Sequence, residues 1–138
     1  MHKSVLIGLA TAALALAACG GGGGGDGAGD VARGEALFKQ STIGTASAPG
    51  CSTCHTLDGS ALVGPSQQGV VGRAEAAIAS AEYKGTATTV EEYLKESIVN
   101  PDVHLEAGFA AGVMYQNFGT ELTEQEINDL VAYLATLK

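Results

Sequence analysis

No apolar stretch of this 138-residue chain is long enough to cross a bilayer comfortably as a helix. The longest runs from Val5 to Ala18, broken only by Gly8 and Thr11, and a span needs about 20 residues. Positive charge is also scarce. Seven Lys and Arg stand against fifteen Asp and Glu, a formal net charge of -8. Such a chain repels nucleic-acid phosphates and anionic membrane surfaces, so no nucleic-acid partner is expected, while a basic docking patch would attract it. Cysteine is limited to three residues and histidine to three, too few to make a four-ligand zinc site an easy reading. Strand-like alternation never runs long enough for a sheet, and no internal repeat is present. The length allows one domain.

What is present begins with an address. Met1-His2-Lys3 is a short basic start, and the apolar run after it has the length of a secretory signal rather than a span. It ends in Leu16-Ala17-Ala18-Cys19, which looks like a bacterial lipobox, with Cys19 lipidated and residues 1-18 removed. Gly20 to Gly25 is unbroken glycine, continued by Asp26-Gly27-Ala28-Gly29. Residues 19-29 therefore read as a lipidated cysteine and a tether, whose ten flexible residues have an end-to-end distance of about 17 Å. Two or more acyl chains give stable anchoring. The expected location is the periplasmic or extracytoplasmic face of a bacterial membrane. Residues 30-138 form the folded domain.

With Cys19 set aside, two cysteines remain, in Cys51-Ser52-Thr53-Cys54-His55. This is the C-x-x-C-H pattern of covalent haem attachment. Two intervening residues let both thiols reach vinyl groups on one edge of a macrocycle, and the adjacent histidine can supply an axial nitrogen to iron. A dithiol redox pair would need a βαβ context, and none is visible. A domain of about 110 residues has a thin core of its own, and a buried porphyrin would add apolar surface to it.

The second axial position has one methionine to draw on, Met114, since Met1 leaves with the signal. It lies in a Gly-rich, non-periodic stretch from Gly108 to Gly119, which reads as a loop. His104 competes for the same role, although beyond Asn100-Pro101 it reads more simply as a solvent-facing side chain. Methionine ligation favours the ferrous state and raises the potential relative to two imidazoles.

Three helices are legible. Asp30 caps one running to Lys39, in which Gly34 suggests close approach of another element. Thr89 and Glu92 form a capping box for a second, which stops before Asn100-Pro101. Thr123 and Glu126 cap the third, with Ile127, Leu130, Val131 and Leu134 as one apolar stripe and Leu137 a turn further on. A short Ala-rich helix is expected over Ala74 to Glu82. Residues 40 to 50 read as a loop with turn residues Gly44, Pro49 and Gly50.

Over residues 30 to 138 the chain resembles a class I cytochrome c. That resemblance implies an all-α fold with crossed N- and C-terminal helices around one covalently bound haem c. Gly34, Phe38 and Tyr133 match its crossing residues. Pro65, in Gly64-Pro65, matches the proline whose carbonyl accepts from the proximal His55. Arg73, after Gly72, matches an arginine that contacts a haem propionate. Three stretches resemble more particularly the cytochrome c domain of caa-type oxidase subunit II and the monohaem lipoprotein subunit of alternative complex III. They are Leu62 to Ser66, Glu92 to Pro101 and Gln116 to Gly119, with Leu122 to Ile127 beside them. One departure is Tyr115, where the family has proline directly after the ligand methionine.

The function implied is electron transfer in a respiratory or photosynthetic chain, without catalysis. The expected donor is a quinol-oxidising complex, and the expected acceptor a terminal oxidase or photosynthetic reaction centre. The alternative is a haem-based gas sensor or enzyme with a labile Met114.

Overall fold

The computed structural model of the protein describes residues 27–138. The signal segment, Cys19 and the first part of the expected tether lie outside them. The elements in order are helix α1 (Val31–Phe38), strands β1 (Thr42–Ile43) and β2 (Ala48–Pro49), a 3-10 turn (Cys51–Thr53), and helices α2 (Val70–Ala79), α3 (Val90–Val99), α4 (Phe118–Glu121) and α5 (Glu124–Leu134). The helices carry the architecture. The strands pair antiparallel, with Thr42 opposite Pro49 and Ile43 opposite Ala48.

Capping chemistry sets the helix starts. Asp30 accepts from the Arg33 backbone at α1. At α3 and α5, Thr89 and Thr123 each accept from the third helical residue, and Glu92 and Glu126 reach back to complete capping boxes. Helix α3 gives way at Asn100, in front of Pro101, as the sequence predicts.

Helices α1 and α5 cross at close range. A Cβ added to Gly34 would fall 1.9 Å from the Asp129 carbonyl oxygen and 2.9 Å from Tyr133 Cβ. Only glycine lets the backbones come this close. Phe38 and Tyr133 pack beside it with ring centroids 5.5 Å apart. Asp129 of α5 is buried and accepts from the Asp30 backbone at 2.7 Å. It also takes two bonds from the Arg33 guanidinium, at 2.8 and 3.0 Å. The core continues through Leu37, Leu94, Ile98, Phe118, Leu130 and Leu134. Burial of each large apolar side chain contributes roughly 1.5–3 kcal/mol.

Four sequence expectations are corrected. Helix α2 lies over Val70–Ala79 rather than 74–82. Gly69, at φ +67°, turns the chain into it, and Ser80 leaves in an extended conformation. The 40–50 segment holds a small hairpin rather than loop alone; two residues per strand are too few to show alternation. Helix α5 ends at Leu134, so Leu137 packs from the turn that follows instead of from a further helical turn. Finally, Gly27 to Gly29 are docked on α5. The Gln125 side-chain amide donates to the Ala28 carbonyl at 2.8 Å, and Asn128 donates to the Gly27 carbonyl at 3.0 Å. A Cβ on Gly29 would meet the Asn128 carbonyl oxygen at 2.1 Å, so this glycine serves close packing.

Candidate haem site

The hairpin delivers the chain to Gly50, and the 3-10 turn follows at once. Its hydrogen bonds run from Thr53 N to the Gly50 carbonyl and from Cys54 N and His55 N to the Cys51 carbonyl. This tight turn brings Cys51, Cys54 and His55 to one wall of a cavity. The two thiols are unbridged. Burial pushes the Cys51 thiol up to about 11, so it stays protonated near neutral pH.

The His55 imidazole is fixed from two sides. Its Nδ1 lies 2.7 Å from the Pro65 carbonyl oxygen. That oxygen can only accept, so Nδ1 carries the proton and Nε2 keeps its lone pair. On the other side, a Cβ at Gly64 would fall 2.4 Å from His55 Cε1, so the ring rests against glycine backbone. Burial holds the imidazole below its ordinary value, partly offset by the Pro65 bond, which keeps it neutral. The Gln67 side-chain amide nitrogen lies 2.9 Å from Nδ1 and donates to the same Pro65 carbonyl at 3.4 Å.

Met114 lines the same cavity, as do Val70, Leu94, Ile98, Phe118 and Leu134. The cavity has a volume of about 200 Å³. Gly108 and Gly112, at φ +91° and +73°, shape the loop that carries Met114. The Asp102 carboxylate holds the Gly112 N–H at 2.9 Å. Beyond Met114, the Tyr115 hydroxyl donates to Glu121, whose other oxygen accepts from Ala46 N at 3.1 Å. The residue that replaces the family proline is thus tied to α4 and to the hairpin. Phe118 and Gly119, expected in the loop, already belong to α4.

Of the remaining sequence candidates, Pro65 lies where expected. His104 differs from its expected solvent-facing position: it is half-buried, lines the cavity and packs edge-on against Tyr83 and Tyr93 at 5.8 and 5.9 Å. Arg73 is not part of the cavity lining. Its Nε donates to Glu106 at 2.9 Å, and its other nitrogens reach the carbonyls of Gln68 and Ser66. Glu106 does line the cavity. Sequence reasoning missed Gln67, Glu106 and Glu121; only the Tyr115 anomaly pointed toward the last.

A deep apolar cavity with two thiols, a neutral imidazole and a thioether suits a porphyrin that has a soft-ligand iron. Among the described residues, no three His, Cys, Asp or Glu side chains are grouped to hold a bare metal ion.

Residues 31–138 match the family model for cytochrome c, so the chain belongs to the cytochrome c family. It has the class I fold and carries one covalently bound haem c. Among its relatives, a cytochrome c2 from Rhodopseudomonas palustris is 35% identical over 125 residues, covering 79% of this chain and 99% of that protein. Another from the same species is 34% identical over 129 residues, covering 79% and 81%. Family and relatives support haem-based electron transfer.

Proposed function

We propose that this protein is an exported, membrane-tethered electron carrier with haem c attached at Cys51 and Cys54 and iron held by His55 and Met114. The observation that carries this reading is the convergence of these four side chains on one apolar cavity, with His55 Nδ1 committed to Pro65 at 2.7 Å. When bound, haem c supplies a one-electron Fe(III)/Fe(II) couple.

Each residue then has a task. Cys51 and Cys54 would form the thioether links. Pro65 orients His55 and sets its tautomer, leaving Nε2 for iron, and the hydrogen bond raises the basicity of that nitrogen. Met114 would fill the other face and favour the reduced state. Val70, Leu94, Ile98, Phe118 and Leu134 exclude water from the cavity interior. Held by both His55 and Met114, the haem iron would have no position left for a substrate, so the protein would carry electrons rather than act as an enzyme. The ties through Asp102 and through Tyr115, Glu121 and Ala46 favour a fixed Met114 over a labile one.

The basic start, apolar run and Leu16-Ala17-Ala18-Cys19 support export and lipid anchoring through Cys19. No helix among the described residues is long and apolar enough to cross a membrane. Tethering would concentrate the domain near membrane-bound partners. A quinol-oxidising complex would be the donor, and a terminal oxidase or photosynthetic reaction centre the acceptor. The stretches similar to caa-type oxidase and alternative complex III subunits support the respiratory setting.

The test is an optical spectrum of the protein made in a host with cytochrome c maturation, oxidised and reduced, with and without carbon monoxide. The expected result is a reduced c-type spectrum, a far-red sulfur-to-iron band when oxidised, and no response to carbon monoxide. A missing band with ready carbon monoxide binding would remove Met114 as ligand and favour a sensor.

A further inference from the structure

Gln67 is the one carboxamide among the described residues that line the cavity. A polar group in an apolar wall costs free energy unless it is bonded, so its partner is informative. Its backbone is pinned first. The Gln67 N–H reaches the Thr56 carbonyl at 2.8 Å, and the Gly64 N–H reaches the Cys54 carbonyl at 2.9 Å. Between them, the buried Ser66 hydroxyl accepts from the N–H groups of Gly59 and Gln68 at 3.0 and 3.2 Å. The segment from Gly64 to Gln68 is thus laced to the two residues that flank His55.

The Gln67 side chain and His55 meet at one atom. The Pro65 carbonyl oxygen lies 2.7 Å from His55 Nδ1 and accepts from the Gln67 amide at 3.4 Å. Its two lone pairs let it take both donors. Each donor draws electron density from the oxygen, so each is held less strongly than it would be alone. The Gln67 amide nitrogen also stands 2.9 Å from Nδ1. Two N–H groups cannot bond each other. Their positive ends lie side by side, which opposes any gain of positive charge by the imidazole.

We infer that Gln67 is a positioning residue, acting through Pro65 and His55, that favours the reduced state of an iron held by His55. This rests on the reading of His55 as an iron ligand. A strong bond from Nδ1 to its carbonyl makes Nε2 a better electron donor, and electron donation favours the oxidised metal. Gln67 moderates that bond. Its amide dipole acts in the same direction, because an imidazole on ferric iron carries more positive charge than one on ferrous iron. Both effects raise the reduction potential, as ligation by Met114 does.

The test compares the full haem-loaded chain with Gln67→Leu, which keeps the bulk and removes the donor. Gln68→Leu, at the exposed neighbouring position, is the control. Redox titration should show a reduction equilibrium constant about threefold lower in Gln67→Leu, toward the low end of what one hydrogen bond contributes. For one electron this is a potential about 30 mV lower. In the proton NMR spectrum of the reduced protein, the His55 Nδ1–H resonance should move downfield as its bond to Pro65 strengthens. Gln68→Leu should change neither. A potential that is unchanged or raised in Gln67→Leu would overturn the inference, as would an Nδ1–H resonance that stays in place or moves upfield. An equal drop in Gln68→Leu would also overturn it, by making the effect a general loss of polarity. Should Gln67→Leu fail to take up haem, Gln67→Met, unbranched and adaptable, carries the same two readouts. Failure of the ligand reading is distinguishable, because the wild type would then lack a c-type spectrum or show no resonance from an iron-bound His55.

Discussion

Replacing Asp129 with Asn tests the frame of the molecule. The carboxylate is buried and collects four hydrogen bonds, from Asp30 N, two nitrogens of Arg33 and the Gln125 amide. The Arg33 bonds are the main reason its titration moves down to about 2 from an ordinary 3.8. Each unit corresponds to about 1.4 kcal/mol, so the folded state gains about 2.5 kcal/mol from the ionised form. Arg33 is half exposed, and water screening reduces the figure to about 2 kcal/mol. The sign follows from linkage. The folded value is depressed, so the stabilisation is complete above about pH 5 and is lost as pH falls through 3.8 toward 2. About half remains at pH 3. Asp129→Asn should therefore unfold about 10 °C below wild type at pH 7, and the gap should shrink to about half by pH 3. Thermal unfolding of the haem-loaded proteins, followed by circular dichroism, measures both. Equal midpoints at pH 7, or a gap that stays constant down to pH 3, would refute the account of Asp129 as a charged latch.

Gly34→Ala places a Cβ 1.9 Å from the Asp129 carbonyl; the helices must separate, and a loss of about 3 kcal/mol is expected in chemical denaturation. Gly64→Ala directs its methyl at His55 Cε1, 2.4 Å away. It should turn the imidazole off its Pro65 bond, which would be read as a lower yield of haem-loaded protein and a shifted reduced spectrum. Tyr115→Phe removes the hydroxyl that reaches Glu121 and so loosens the segment that follows Met114. The far-red band of the oxidised variant should fade at lower temperature than in wild type, and an unchanged fading temperature would show that the Tyr115 bond does not hold the Met114 loop.

The parts legible in the sequence are those whose determinants are local. Both capping boxes span four residues, and Cys51 to His55 span five, so nothing distant is needed to see them. The need for glycine at position 34 was visible as an anomaly within a helix, though its cause, the Asp129 carbonyl, lies 95 positions away. The start of α2 was hidden because Gly69 enters it without a side-chain cap and looks like an ordinary loop glycine. The Arg33–Asp129 latch was hidden for a different reason. Asp129 falls between Ile127 and Leu130 and reads as a polar interruption of the α5 stripe, whereas α1 covers that second face. Gln67 and Glu106 reach the site only through tertiary folding, and their residue types give no local signal.

The latch and the cavity are also coupled through one helix. Asp129 and Tyr133 of α5 meet α1, while Leu134, one residue on, lines the cavity. The spacing fits a helix of 3.6 residues per turn, which turns successive residues to different faces. The α1 crossing therefore fixes the rotation of α5, and that rotation fixes how far Leu134 projects into the cavity. Phe118 of α4 joins the cavity wall five residues before Thr123 opens the α5 capping box, so the cap sets where α4 stops and α5 starts. Close-packed interiors transmit such constraints because they leave little free volume to absorb them. The site is thus held less by its own loops than by a glycine-enabled crossing and a buried carboxylate on the far side of α5. This accounts for a small domain that positions a large cofactor with so thin a protein core.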